Sequence, residues 1–166
     1  MEMPFLAHPD LIFSLGNGLA LLSWLALAIS PYRARWAPRV RFVTGRVVPL
    51  IFGVVYVALF ATTGMGDGGF DSPAAVQRLF AVPELLTAGW LHYLAFDLFV
   101  GTWIAERGGA LGIPHVALMP MLALTFMFGP AGLLAFAVLR LIWLRRPPAS
   151  KFTHAPSAIP LERRSS

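Results

Sequence analysis

The chain has 166 residues, of which 57% are hydrophobic and only 13% are charged. A soluble domain carries about 25% charged residues, so this composition argues against a soluble fold and indicates a membrane protein. The absence of cysteine excludes disulfides and thiolate metal sites. The net charge of +5 lies mostly in two arginine-rich stretches beside apolar blocks. Because no nucleic-acid-binding motif accompanies these stretches, we expect no nucleic-acid partner.

The first predicted span covers about residues 11–30 and ends at Pro31. Its twenty residues would rise about 30 Å, which is the thickness of the hydrocarbon core of a bilayer. Gly16 and Gly18 would let a neighbouring helix approach closely. A basic loop with five arginines follows this span, and the second span covers about residues 47–62.

The third span is predicted at about residues 85–105. It follows a short interfacial helix over residues 72–81, for which Ser72 and Pro73 supply a helix cap and a first turn. Pro83-Glu84 then marks a second helix start, where the carboxylate suits the helix dipole.

Residues 115–144 are thirty nearly apolar residues with Gly129-Pro130 at their centre. One helix of that length would measure about 45 Å, well beyond the hydrocarbon core, and the Gly-Pro pair predicts a break. The alternatives are one kinked span or two short spans, over about 115–128 and 130–146. Four spans in total would divide the thirteen basic residues seven against six, and five spans would divide them twelve against one. The positive-inside rule therefore favours five.

We accordingly predict an all-α, polytopic transmembrane helix bundle in a single domain, residues 1–146, followed by a disordered basic tail over residues 147–166. The N-terminus would lie outside and the C-terminus in the cytoplasm. Residues 1–10 contain no Lys or Arg, so a removable signal peptide is not expected. The lipid bilayer is the expected surrounding, and homo-oligomers or neighbouring pathway enzymes are candidate partners.

Ionisable side chains inside a span are costly and are therefore functional candidates. The third span supplies Glu84, His92 and Asp97. His92 is a candidate proton donor or acceptor, and the alternative is a hydrogen-bonded core histidine. His92 and Asp97 diverge by about 140° on a helical wheel, so no metal site is expected from this helix.

Asp97 has a catalytic and a structural interpretation, and both stay open. With five spans, Asp97 would lie about 20 Å below Glu84, and Arg140 about 15 Å below the turn at Pro130. Their similar depth predicts a structural Asp97–Arg140 ion pair. Asn17 and Tyr56 also fall at a depth comparable with His92, so they could join a polar cluster around it.

Two long stretches resemble a known family. GWLHYLAFDLFVGTWI (Gly89–Ile104) and LTFMFGPAGLL (Leu124–Leu134) are similar to hallmark stretches of the abscisic-acid-deficient, neoxanthin-synthase-like family of membrane proteins. LIFSLGNGLALLSWLAL and VVPLIFGVVYVAL fit the same pattern, so the resemblance covers about residues 8–145. Plant members are needed to convert violaxanthin to neoxanthin.

The resemblance implies an isomerase that turns an epoxy-carotenoid into an allenic carotenoid by acid–base chemistry, without a cofactor. Glu84, His92 and Asp97 would be the catalytic candidates, and Trp90, Tyr93 and Phe96 would line a groove for the substrate. The Ala-, Arg- and Gly-rich composition suggests a bacterial inner membrane, where another isoprenoid lipid would replace violaxanthin. The alternative is a non-enzymatic scaffold or a lipid- or pigment-binding helper.

Overall fold

A computed structural model of the protein describes residue 6 and residues 8–145. Every regular element within residues 8–145 is helical, which confirms the all-α prediction. The elements are α1 (Pro9–Ala28), α2 (Ala37–Phe42), a π-helical turn (Val43–Val47), α3 (Val48–Thr63), α4 (Pro73–Leu79), α5 (Pro83–Ala110), α6 (His115–Phe128) and α7 (Pro130–Leu144). The tail predicted over residues 147–166 lies outside the described residues.

Two helices are long and apolar enough to cross a membrane, namely α1 and the continuous helix Ala37–Thr63 that α2, the π-helical turn and α3 form. α4 and α5 meet at a bend of 105° and add a third crossing if they count as one span. α6 and α7 have 14 and 15 residues, fewer than the roughly 20 that a crossing requires. The chain is thus a helical membrane protein in which some helices are long enough to cross a bilayer and others are too short.

The basic segment before the second predicted span is largely helical, contrary to the loop predicted up to residue 46. The helix begins at Ala37 and has Pro38 in its first turn, where a proline is well tolerated. The π-helical turn then joins α2 to α3, with the Val48 N–H bonded to the Val43 carbonyl. Arginine is a good helix former, so Arg39, Arg41 and Arg46 extend the helix toward the arginine-rich end.

α5 is the centre of the bundle and packs against α1, the π-helical turn, α3, α6 and α7. A Cβ built on Gly16 of α1 would lie 2.6 Å from Leu91 Cδ2, so this glycine permits the close approach that the sequence predicts. Thr44 and Thr102 share a buried hydrogen bond of 2.9 Å between their hydroxyl oxygens. These contacts fix α5 against its neighbours along most of its length.

α6 and α7 form a hairpin that enters and leaves the bundle at the same end of α5. At the start of α6, His115 Nε2 donates a hydrogen bond of 2.7 Å to the Ala28 carbonyl, at the end of α1. Near the end of α7, Trp143 Nε1 donates to the Leu111 carbonyl at 3.0 Å. Tyr32, in the arginine-rich loop, packs against Gly109. The arginine-rich loop, the C-terminal end of α5, the start of α6 and the end of α7 therefore lie at the same end of the molecule.

The tip of the hairpin lies beside the middle of α5. Gly129 separates α6 from α7 with a backbone φ of +43°, so the predicted break at Gly129-Pro130 is confirmed. A Cβ built on Gly129 would lie only 2.6 Å from Asp97 Oδ1. Five full crossings would put this turn level with Glu84, at the start of α5. The tip instead stops about 20 Å short of that level, because thirteen residues of helix separate Glu84 from Asp97.

Candidate functional site

An apolar groove runs between α3 and α5 and has a volume of about 500 Å³. Such a volume lies within the range typical of small-molecule sites. Its walls are mostly hydrocarbon and aromatic, and they are formed chiefly by Pro49, Leu50, Tyr56, His92, Phe96 and Phe99. Arg46 lies at one end of the groove. The groove can therefore take an apolar ligand and offers that ligand few polar contacts.

His92 is the titratable group that faces this groove from α5. Its ring is exposed, so the interpretation as a buried core histidine is wrong. The imidazole centroid lies 5.6 Å from the Tyr56 ring and 4.6 Å from the Phe96 ring. The structure thus brings together three of the predicted site residues. An imidazole and a phenol on one apolar wall can exchange protons with a bound molecule.

The other predicted groove residues lie on a different face of α5. Trp90 Nε1 donates a hydrogen bond of 2.9 Å to Asn17 Oδ1 on α1. The Trp90 ring also stacks on Phe13 at 5.6 Å and on Tyr93 at 5.4 Å between centroids. Asn17, Trp90 and Tyr93 therefore connect α1 to α5, and none of them lines the groove that contains His92.

Asp97 lies at the tip of the α6–α7 hairpin and is only 9% exposed. Its carboxyl oxygen Oδ1 is beside the backbone of Gly129, and Tyr93 lies one helical turn earlier on α5. Oδ2 is buried and has no partner among the described residues. The carboxylate is thus adjacent to the N-terminus of α7, whose dipole favours a negative charge.

The predicted ion pair between Asp97 and Arg140 is wrong. These two described residues form no ion pair within 4.0 Å, and Arg140 Nε is buried without a hydrogen-bond partner. The prediction assumed that the turn at Pro130 lies at the membrane surface. Because the tip lies beside Asp97 instead, the ten residues from Pro130 to Arg140 carry the guanidinium about 15 Å toward the arginine-rich end.

Glu84 is in the first turn of α5 and is half-buried. Eight residues, or about 12 Å of helix, separate it from His92, and it does not line the groove. Glu84, His92 and Asp97 therefore occupy three separate places along α5. Within the described residues, no group of three or more His, Asp and Glu side chains is placed to hold a metal ion.

A second cavity, which the sequence did not predict, lies at the arginine-rich end between α2 and the last turns of α5. It has a volume of about 830 Å³, and its charged lining consists of Arg41, Arg46, Glu106 and Arg107. We call it the basic cavity. Arg46 Nη1 lies 4.0 Å from Glu106 Oε1. Its arginines were assigned to a loop from the sequence, and only the observed helix shows that Arg41 points inward and is 5% exposed.

Comparison with known proteins places these features in a family. No curated protein and no solved structure matches the chain. The sequence model of the ABA4-like family, described as ABA DEFICIENT 4-like, matches residues 11–136. This range exceeds half of the chain and contains the groove, Asp97 and the hairpin tip, whereas Arg140 lies outside it. This helical membrane protein therefore belongs to the ABA4-like (ABA DEFICIENT 4-like) family.

Proposed function

We propose that the protein is a membrane isomerase that binds part of a carotenoid, or of a related long isoprenoid, in the groove between α3 and α5. The observation that supports this proposal is the exposed imidazole of His92 on an otherwise apolar wall, opposite Tyr56. A long hydrocarbon ligand would enter such a groove from the lipid. It would meet these two protic groups where water is scarce.

The proposed reaction converts an epoxide beside a polyene into an allene. The Tyr56 hydroxyl would donate a proton to the epoxide oxygen as the carbon–oxygen bond on the polyene side breaks. His92 would remove a proton from the neighbouring chain carbon, and the electron pair of that C–H bond would form the second double bond of the allene. One proton is added and one is removed, so the product is an isomer and no redox partner is needed.

Glu84 and Asp97 have other roles in this proposal. Asp97 is adjacent to the backbone of Gly129 and would fix the hairpin tip. Of the two interpretations of Asp97, this proposal keeps the structural one, with Gly129 in place of Arg140 as the partner. Glu84 would stabilise the N-terminus of α5 through the helix dipole. The three residues would not act together as one catalytic set.

The test is expression of the full chain in a bacterial host that makes epoxy-carotenoids, followed by chromatography of the extracted pigments. We expect an allenic product from the wild type and a fall of about 100-fold or more for His92→Gln, the usual size of a general acid–base contribution. Tyr56→Phe should fall by a similar factor. Glu84→Gln is the control, since it removes a titratable group from the same helix outside the groove. A membrane-inserted wild type that yields no isomer from any epoxy-carotenoid supplied would refute the enzyme proposal.

A non-enzymatic pigment- or lipid-binding helper is the second candidate, and the scarcity of polar groups in the groove favours it. For a helper, wild type and His92→Gln should co-purify with equal amounts of carotenoid, and neither should alter it. A bulky substitution in the groove, such as Gly53→Leu, should displace the pigment in either case. Retention of the pigment by this variant would show that the groove is not the binding site.

A further inference from the structure

Arg41 is a buried cation, and two of its three guanidinium nitrogens have no partner among the described residues. Only 5% of the residue is exposed, and its Nε and Nη2 atoms have no hydrogen-bond partner there. The guanidinium carbon lies 4.7 Å from the centroid of the Tyr32 ring, a cation–π contact that satisfies none of the N–H groups. Arginine remains protonated in proteins, and a buried charge without a partner is strongly unfavourable. The position of Arg41 therefore calls for an anion.

The basic cavity has an excess of positive charge around Arg41. Arg46 and Arg107 line it together with Arg41, and Glu106 is the acidic residue in the lining. Glu106 Oε1 is 4.0 Å from Arg46 Nη1 and its charge also attracts Arg41, so one carboxylate is shared between two arginines. Three guanidinium groups face one carboxylate, and the difference leaves two positive charges in the lining. The part of the lining that the structure describes is thus net positive, which favours an anion in this cavity.

With the middle of α5 taken as the bilayer midplane, the basic cavity falls at the depth of the headgroup region. Glu106 follows Asp97, at the middle of α5, by nine residues, which corresponds to about 14 Å of helix. Half of the hydrocarbon core is about 15 Å thick. Phe42 and Trp103 line the cavity and are 55% and 39% exposed, and aromatic side chains are typical of the membrane interface.

We propose that the basic cavity binds the phosphate group of an anionic phospholipid through Arg41, Arg46 and Arg107. The planar guanidinium fork matches phosphate oxygens in two-point hydrogen bonds, and the three groups converge on one cavity. We favour a lipid over free phosphate because the cavity lies at headgroup depth and because its lining includes the exposed aromatic residues Phe42 and Trp103. Arg46 also borders the apolar groove, so a lipid held here would place an acyl chain beside the groove entrance. The site does not depend on any chemistry at His92.

The experiment uses the full chain in an uncharged detergent and counts bound lipids by native mass spectrometry. Dioleoylphosphatidylglycerol, dioleoylphosphatidylcholine and inorganic phosphate are added in separate titrations. We expect one phosphatidylglycerol to bind with a Kd at least about tenfold lower than that of phosphatidylcholine, because both lipids carry the phosphate but the choline cation of phosphatidylcholine is repelled by the net positive lining. His92→Gln should leave this binding unchanged.

Two variants test the cavity and one serves as the matched control. Arg107→Gln removes an exposed cavity arginine and should raise the phosphatidylglycerol Kd about tenfold. Arg41→Gln should do the same, and without lipid its melting temperature should equal or exceed that of the wild type, since a buried unpaired charge is removed. Arg35→Gln removes the same charge from the exposed loop, outside the cavity, and should change the Kd by less than about twofold.

Equal affinity for the two lipids would overturn the proposal, and so would an Arg35→Gln effect as large as that of Arg107→Gln, because diffuse surface charge would then explain binding. A third outcome is that inorganic phosphate binds with the same dependence on Arg107 while phosphatidylglycerol does not bind. This result would support a phosphate site and overturn the proposal that the phosphate belongs to a lipid. Because Arg107 is exposed, its variant keeps the test valid even if Arg41→Gln does not fold.

Discussion

Substitution of Gly129 by alanine is the sharpest test of how the α6–α7 hairpin meets α5. Gly129 is buried and its backbone adopts φ +43° and ψ −93°, a combination that a residue with a Cβ strongly disfavours. The added methyl would also lie 2.6 Å from Asp97 Oδ1 and 3.2 Å from Asp97 Cγ. Gly129→Ala therefore imposes a backbone strain and a steric clash at the same point.

The two effects have separate magnitudes. A residue held in a sparsely populated backbone region costs about 1–3 kcal/mol, and overpacking of a buried site costs about 1–3 kcal/mol more. We expect Gly129→Ala to lower the free energy of unfolding by about 2–6 kcal/mol, a large part of the roughly 5–15 kcal/mol typical of a folded protein. Asp97→Ala removes the atoms that clash. In the double variant, the alanine at position 129 should therefore cost only the backbone strain and not the steric clash.

The assay is reversible unfolding in mixed detergent micelles, followed by tryptophan fluorescence for the wild type, the two single variants and the double variant. Gly129→Ala should cost about 1–3 kcal/mol less in the Asp97→Ala background than in the wild type, because the clash with the carboxyl group is absent there. Gly18→Ala is the control, since its Cβ would meet nothing within 4 Å, and it should alter stability by less than about 1 kcal/mol. A Gly129→Ala cost below about 1 kcal/mol, or zero coupling, would refute the contact between the hairpin tip and Asp97.

Two further predictions concern the attachment of α5 to α1 and the reach of the hairpin. Trp90→Phe should destabilise the protein by about 0.5–1.5 kcal/mol through loss of the hydrogen bond to Asn17, and the same substitution in an Asn17→Ala background should cost less; equal costs in both backgrounds would contradict the bond. The chain has no native cysteine, so single cysteines at positions 35, 67 and 131 can be labelled with impermeant maleimides in oriented vesicles. We expect position 35 to react from one side, position 67 from the other, and position 131 from neither, because the hairpin tip lies at mid-depth; labelling of position 131 from the same side as position 67 would instead favour five full crossings.

Two of the helix boundaries were accessible from the sequence because they depend on local chemistry. Ser72 caps α4 by accepting a hydrogen bond of 3.2 Å from the Ala75 N–H, as its place before Pro73 predicts. The break at Gly129-Pro130 follows equally from the missing N–H of proline and from the conformational freedom of glycine. Comparable depth in neighbouring helices indicated Tyr56 as a neighbour of His92, but the same argument also indicated Asn17, which instead accepts a hydrogen bond from Trp90.

The position of the hairpin and the partner of Asp97 were not accessible in the same way. Apolar residues suit lipid and protein surroundings equally well, so the sequence of α6 and α7 does not say how deep their turn lies. The charge distribution requires only that both ends of the hairpin share the arginine-rich side, and a half-length hairpin satisfies this as well as two crossings. Asp97 was paired with Arg140 because a side chain was the expected partner, whereas the structure offers a backbone without a side chain at Gly129.

The π-helical turn at Val43–Val47 has a consequence for how this protein can change over evolution. A π-helical turn contains one residue more than the α-helical ladder needs, and each residue of an α-helix turns the chain by about 100°. Because the wider turn absorbs that extra residue, deleting one residue there would restore regular α-helical bonding and leave Arg41 in about the same orientation relative to Leu50 and Tyr56 in the groove wall. A one-codon deletion should thus be tolerated at this turn, whereas a deletion in the regular α-helix between Arg41 and Tyr56 would rotate the basic cavity by about 100° relative to the groove.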